Sequence, residues 1–346
     1  MTSTTFTSLN TASARWQDLA LLSEEELESV DVAVLNLAAA QGFPDAPTAD
    51  QAEECLRRLD HYAWTVADYT ETCSSEFDRY RDHYQGSEGR FRVLKMVSML
   101  QQVHGIRYNP AKIPDDSIHS AGDAFIHGPL IGEGGTCASI PVVLAAVGRR
   151  LGYPIRMVSA PSHLFARWDD GEDYFNIDVT NEGLCHPPDD FYRHETRTPF
   201  GEEQERYCCY LQSQSTRHEF SNFLFQRAWH WYELNDFRQS VEALSYAIKL
   251  APEIAVLKRD HHSRLHAWHS LLLGRMPLTF PTLRIHYPPR RYAWLSEEIE
   301  ERMIFCEMAE RLLDDPGKAG WWEALRKSPS QRPRNVPTSI QLTMAF

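Results

Sequence analysis

Residues 132–180 read GEGGTCASIPVVLAAVGRRLGYPIRMVSAPSHLFARWDDGEDYFNIDVT. From Ile140 onward, apolar residues recur about every three to four positions until Gly152, which predicts an amphipathic helix that ends at a glycine. Pro141 requires regular helix to begin close by, because proline lacks the amide donor that is needed further inside. Cys137 is therefore expected at or near a helix N-terminus.

A cysteine in that position has two opposing interpretations. The positive end of the helix dipole and the free amide groups there favour the thiolate form, which is the nucleophilic one. Most single cysteines are nevertheless small buried hydrophobes with no chemical role. Cys137 alone therefore does not decide the function.

Strand-like runs follow at residues 155–158, 163–168 and 174–179, and Asp170-Gly171 between the last two predicts a hairpin. A two-residue turn there places His163 directly opposite Asp178, within reach of a hydrogen bond that would fix the imidazole tautomer. A four-residue loop is expected to preserve this register, whereas an odd-length loop would displace the pair. A structural histidine satisfied by a neighbouring acid is the alternative. The opposite face of the hairpin is predicted to enter the core with Leu164, Ala166, Phe175 and Ile177.

Three segments together resemble the transglutaminase-like superfamily: TCAS at 136–139, SHLFARW at 162–168 and NIDVT at 176–180. The resemblance covers roughly residues 90–185. It implies an α+β, papain-like core in which the cysteine helix packs on an antiparallel sheet, with helical regions on either side. More distantly, a core followed by tetratricopeptide-like helices is similar to the SirB1 family.

The resemblance also implies site roles. Cys137 would attack an amide carbonyl, His163 would act as general base and acid, and Asp178 would orient His163. The thioester intermediate could be resolved by water, as in a protease, amidase or deamidase, or by an amine in acyl transfer. The backbone N–H of Cys137 is the natural first oxyanion donor. Candidates for the second donor or a supporting role are His127, with Gln102 and Asn109 behind it; His127 is equally interpretable as a structural loop residue.

The remaining chain is predicted to be helical on both sides of this core. Residues 1–85 form an N-terminal helical region with capping boxes at Ser23 and Thr48, and residues 86–215 form the core, with a loop over 106–136. Residues 216–326 form a helical region whose segment 220–252 resembles a tetratricopeptide repeat. Residues 327–346 are predicted to be a flexible tail.

Composition narrows the classes of function. The chain has 346 residues and a formal net charge of -13, which opposes nucleic-acid binding. No apolar run is long enough for a membrane span, and the N-terminus lacks the pattern of a secretory signal. Seven scattered cysteines fit neither a disulfide framework nor a zinc site, so we expect no metal or cofactor and a cytoplasmic location.

Two classes of function remain open. The first is an enzyme acting on a peptide, a protein or an amide-containing small molecule; a toxin-like deamidase belongs to this class. The second is a non-catalytic interaction or scaffold protein that binds a partner through its helical region, since a fold alone does not fix a function. The residues leave open the substrate, the choice between hydrolysis and transfer, and the oligomeric state.

Overall fold

The computed structural model describes residues 13–112, 120–132, 134–179, 183–196, 198–276, 284–285, 291–315 and 341–342. The chain divides into two compact units. The first comprises residues 1–230 and 246–256, and the second comprises residues 231–245 and 257–346. The predicted α+β class is confirmed, because helices surround one three-stranded antiparallel sheet in the first unit. The predicted domain boundaries stay predictions.

In the described part of the chain, six α-helices lie within residues 13–98. They are α1 (Trp16–Leu19), α2 (Glu24–Glu28), α3 (Val32–Ala39), α4 (Ala49–Thr72), α5 (Ser74–Arg79) and α6 (Glu88–Ser98). The capping boxes predicted at Ser23 and Thr48 are both formed, and they open α2 and α4. Every residue of α3 is buried, as expected for a helix that is apolar on all sides.

The connection between α6 and the cysteine contains more helix than the sequence predicted. A π-helical turn, Met99–Val103, extends α6, and Gly105 then takes a left-handed conformation with φ 71°. Two short helices follow at α7 (Ala121–Ala124) and α8 (His127–Ile131). The prediction of loop throughout 106–136 is therefore wrong, because helices of four and five residues are too short to give a periodic pattern.

The helix that follows the cysteine, α9 (Ile140–Arg150), packs against α3, α4 and the sheet. The sheet has the order β1 (Ile155–Ala160), β2 (His163–Asp169), β3 (Tyr174–Ile177). One face of β2 presents Leu164 and Ala166 to the core, as predicted. The other face is also covered, because Phe165 packs in a second buried cluster with Tyr192 and Phe200.

The hairpin register differs from the predicted one by two residues. Ala166 pairs with Ile177, so the turn is the four-residue segment 170–173 and His163 does not lie directly opposite Asp178. The Asp170 carboxylate stabilises the longer turn by accepting the backbone N–H groups of residues 172 and 173, at 2.9 and 2.7 Å. A shift of two preserves the face, so His163 and Asp178 stay on the same side as diagonal neighbours.

Downstream of the sheet the described chain is mostly helical: α10 (Asp189–His194), α11 (Glu202–Cys208), α12 (Thr216–Glu233), α13 (Phe237–Leu250), α14 (Ala255–Arg275) and α15 (Glu297–Leu313). Two short strands, β4 (Arg284–Ile285) and β5 (Gln341–Leu342), pair in parallel. The sequence predicted the helices α12 to α15, and the resemblance of 220–252 to a tetratricopeptide repeat stays a prediction. Most of the tail predicted at 327–346 lies outside the described residues.

Within the described ranges, none of these helices combines the length and the apolar character that crossing a membrane requires.

Candidate active site

A tight turn holds Cys137 three residues before the first residue of α9. The amides of Ser139 and Ile140 both donate to the carbonyl of Thr136, at 3.2 and 3.0 Å. The hydroxyls of Thr136 and Ser139 in turn donate to the carbonyl oxygen of Asp123, at 2.7 and 3.1 Å. These buried hydrogen bonds attach the cysteine turn to α7. Cys137 is thus close to a helix N-terminus but precedes it.

The amide groups of this turn are used unequally. The Thr136 amide donates to the Ser139 hydroxyl at 3.0 Å, and the Ala138 amide donates to the Thr136 hydroxyl at 3.1 Å. The amide of Cys137 has no acceptor among the described residues. An amide that is held by a rigid turn and left unbonded is suited to stabilise an oxyanion at the adjacent thiol.

The β1–β2 turn brings His163 to this cysteine. Ser162 takes a left-handed conformation with φ 57°, and His163 begins β2 directly after it. The carbonyl oxygen of Ser162 lies 4.0 Å from the sulfur of Cys137. Cys137 is partly exposed, so a substrate can approach the sulfur while the hairpin end covers one side of it.

Asp178 binds the far side of the imidazole. It follows β3, where its backbone exchanges two hydrogen bonds with Cys185, at 3.0 and 2.9 Å. Its Oδ2 lies 2.8 Å from Nε2 of His163. Because a carboxylate can only accept, Nε2 carries a proton and Nδ1 is the nitrogen left for Cys137. The structure therefore brings all three predicted residues together, in the order cysteine, histidine, aspartate.

The surroundings of His163 stabilise its protonated form. Burial alone lowers the pKa of His163. The hydrogen bonds with Asp178 and Cys137 and the charges of those two groups raise it by more than burial lowers it, to about 9. These interactions favour the imidazolium form of His163.

Tyr192 also belongs to this site, although no sequence pattern indicated it. Its buried phenol donates to Oδ2 of Asp178 at 2.9 Å, so this oxygen accepts from Tyr192 and His163 together. Its ring stacks on Phe165 at 4.1 Å and lies 5.7 Å from the His163 ring. Burial, followed by the charge of Asp178 and the hydrogen bond to it, raises the pKa of Tyr192 far above its usual value, which keeps the phenol protonated as a donor.

A buried arginine holds the helix that carries Tyr192. The guanidinium of Arg167 on β2 donates to Asp189 at 2.6 Å, to Asn176 Oδ1 at 2.7 Å and to the Leu211 carbonyl at 2.8 Å. Asp189 opens α10, so this ion pair connects the helix to the sheet. The Asp189-Asp190 doublet is typical of a turn in the sequence, but here it begins a helix, and the Asp189 carboxylate accepts from the sheet.

The three residues proposed for the oxyanion site differ in burial and in hydrogen bonding. His127 is buried in α8, neither of its ring nitrogens has a hydrogen-bond partner in the part of the chain that the structure describes, and burial lowers its pKa against an opposing effect of Asp45. Gln102 is exposed in the π-helical turn. The Asn109 amide donates to the Gly135 carbonyl at 2.8 Å, while its side chain accepts from the Ala111 amide. Within the described residues, none of the three shares a hydrogen bond with Cys137 or His163.

The approach to the cysteine requires glycine at one position. Gly134 has φ 129°, and a Cβ there would lie 3.1 Å from the backbone of Asn109. The segment around Asn109 pairs with the residues before the cysteine through a bridge between Tyr108 and Gly135. Asn109 is therefore the candidate that the backbone brings beside the cysteine turn.

Residues 53–218 match the family model of the transglutaminase-like superfamily. The matched range begins in α4 and contains Cys137, His163 and Asp178, so it is wider than the range of 90–185 indicated by the motifs. The matched range includes the sheet, the cysteine turn and α10. No curated protein and no solved structure gives a significant match to the chain. The similarity to the SirB1 family stays a prediction.

No group of three or more metal-ligating side chains occurs in the parts of the chain that the structure describes. In the second unit, His261 of α14 belongs to the helix packing, because it is buried and shares a 3.0 Å hydrogen bond with Ser245. Burial, followed by the charge of His262, lowers the pKa of His261 to about 4.

Proposed function

We propose that this chain carries out cysteine-dependent amide chemistry through a thioester intermediate. Cys137 is the nucleophile, His163 the general base and acid, and Asp178 the group that orients His163. The observation that carries the proposal is the imidazole of His163: its Nε2 lies 2.8 Å from Oδ2 of Asp178, and both Asp178 and Cys137 raise its pKa. The transglutaminase-like match supports it, because the three residues lie within the matched range.

In the acylation step, the sulfur of Cys137 attacks the carbonyl carbon of an amide and a C–S bond forms. Charge develops on the carbonyl oxygen, where the unbonded amide of Cys137 can donate to it. The C–N bond then breaks, and His163 gives its proton to the departing amine. Asp178 keeps the imidazole in the orientation and tautomer that this transfer needs. The products are an amine and a thioester on Cys137.

In the second step, water or an amine attacks the thioester carbon. His163 removes a proton from the attacking group, the C–S bond breaks, and the Cys137 thiolate is restored beside the imidazolium. Water yields a carboxylic acid, which is hydrolysis or deamidation, and an amine yields a new amide. The same three residues serve both outcomes, so the acceptor depends on what reaches the thioester.

The decisive measurement is the rate at which iodoacetamide alkylates Cys137 between about pH 5 and about pH 9, with mass spectrometry assigning the site. We expect labelling at about pH 6 to be roughly tenfold faster than that of the exposed Cys185 in the same chain. Burial raises the pKa of the Cys55 thiol to about 12, so Cys55 is an internal control that stays unlabelled while the protein is folded. Labelling of Cys137 that becomes fast only near the pH of an ordinary free thiol contradicts the proposal.

Substitutions assign the roles. Asp178→Asn removes the charge that stabilises the imidazolium, so labelling of Cys137 at low pH should slow while the chain stays folded. Cys137→Ala should abolish turnover of any amide substrate and leave partner binding intact. Turnover that persists in Cys137→Ala would exclude the mechanism and favour the interaction protein, whose partner would be sought with the helical region.

A further inference from the structure

We propose that Tyr192 is a positioning residue for the catalytic pair, one that fixes the rotamer of Asp178 and limits the negative charge that Asp178 presents to the imidazole. This inference rests on the proposed function. It adds a fourth member, from a different element, to the residues that the motifs indicate.

The geometry around the carboxylate carries the inference. Two donors converge on the same oxygen, since Oδ2 of Asp178 lies 2.9 Å from the phenol of Tyr192 and 2.8 Å from Nε2 of His163. Asp178 lies just beyond the end of β3, where the ladder with β2 no longer fixes its direction. A buried phenol that donates to it restricts the carboxylate to the rotamer that reaches the imidazole.

The ring of Tyr192 is itself held in place. It lies parallel to the Phe165 ring, with an interplanar angle of 3°, and 21° from the plane of the His163 ring. The ion pair between Arg167 and Asp189 fixes the start of the same helix, at 2.6 Å. The hydroxyl therefore projects from a rigid support, and removing it should leave the stacking unchanged.

The charged and titratable groups around the pair determine the direction of the effect. Asp178 and Cys137 face His163, and Tyr192 donates to Asp178 from α10. Arg167 and Asp189 act on Tyr192 with opposite signs. A hydrogen bond donated to a carboxylate stabilises its charge and weakens its attraction for a second donor. Loss of the phenol should therefore strengthen the attraction of the Asp178 carboxylate for the imidazolium.

The test is Tyr192→Phe, with the titration of His163 followed by NMR of the imidazole signals in the full chain. We expect the His163 titration to move to higher pH by about 0.5–1 unit, the shift that one neutral hydrogen bond corresponds to. The upper pH limit of rapid Cys137 alkylation should move in the same direction. Tyr153→Phe is the matched control, because Tyr153 is also buried but packs on Trp168; it should not move either titration.

A double-mutant cycle with Asp178→Asn separates positioning from packing. If Tyr192 acts through the carboxylate, Tyr192→Phe should have no effect on the His163 titration in the Asp178→Asn background. No shift in the single variant, or the same shift with and without the carboxylate, would overturn the inference. These titrations are read from His163 itself, so they test Tyr192 even if slow alkylation of Cys137 were to exclude the proposed function.

Discussion

At the scale of single residues, Ser162 combines backbone strain with a place beside the nucleophile. Its φ of 57° is costly for any residue with a Cβ, and the left-handed region costs about 1–2 kcal/mol for L-residues. The side chain is exposed, so this backbone has no compensating side-chain burial. The strain is tolerated where the turn presents its carbonyl to Cys137.

We predict that Ser162→Gly raises the free energy of unfolding by about 0.5–1 kcal/mol, after allowing for the greater chain entropy of glycine. Ser162→Ala keeps the Cβ and should change stability little. Urea denaturation of the three proteins measures both effects. Destabilisation by glycine would mean that the serine side chain contributes more than the strain costs.

The pH dependence of stability provides a second test at this scale. The pKa of His163 is raised from 6.5 to about 9 in the folded chain, so its protonated form stabilises the fold. This contribution is fully present below about pH 6.5 and is lost as the pH rises through about 9. Its full size corresponds to about 3 kcal/mol.

We therefore predict that the stability difference between the native chain and His163→Gln shrinks by about 2–3 kcal/mol between pH 6 and pH 10. Denaturation at a series of pH values measures this stability difference. Asp178→Asn is measured in the same way, because it retains the histidine but loses the main partner of that histidine. A difference that stays constant across this range would show that His163 does not gain its proton on folding.

These residues also show what the sequence could reveal about the site. Residue types and the alternation of the hairpin were enough to place His163 and Asp178 on one face, despite the two-residue error in register. Tyr192 carried no such signal. Its phenol reaches Asp178 only because Arg167, distant in sequence, binds the first residue of α10, and that contact depends on the folded chain.

At the scale of elements, the turn before α9 is held in place by hydrogen bonds from side chains. Thr136 is buried, and its hydroxyl both donates to the Asp123 carbonyl and accepts from the Ala138 amide. Periodicity predicts where α9 lies but not where it begins, because its start is decided by these contacts with α7.

We predict that Thr136→Val destabilises the fold by about 1–3 kcal/mol, since the buried Ala138 amide loses its partner and Asp123 loses one donor. The loosened turn should also slow alkylation of Cys137. Thr136→Ser retains the hydroxyl and should retain the labelling rate. Thermal denaturation and mass spectrometry check the two effects, and unchanged labelling in Thr136→Val would show that α9 alone positions the thiol.

At the scale of the whole molecule, the sequence predicted the α+β class well because each element of the core has a strong pattern of its own. The helix after Cys137 and the three strands follow apolar periodicity. The short helices α7 and α8 were not predicted because they depend on close packing. An example is Gly128, which lies against the carbonyl of Gly122. The helices that cover the second face of the sheet carry no motif that marks them.

The net charge gives the last prediction. A charge of -13 repels anions at long range, whereas the imidazolium of His163 attracts an anion that has reached Cys137. Salt separates the two effects, because the screening length falls from about 30 Å at 0.01 M to about 10 Å at 0.1 M. A contact between neighbouring groups is screened far less than the field of distant charges.

We therefore predict that the ratio of Cys137 alkylation rates with iodoacetate and with neutral iodoacetamide rises about two- to fivefold over that range of salt. His163→Gln should lower the ratio of rates at every salt concentration, because the variant loses the local attraction. The ratio should still rise with salt in this variant. A ratio that falls with salt would mean that nearby positive charge governs the approach to Cys137. The substrates to test first would then be amides carrying a negative charge, and a rising ratio directs the search to neutral or cationic ones.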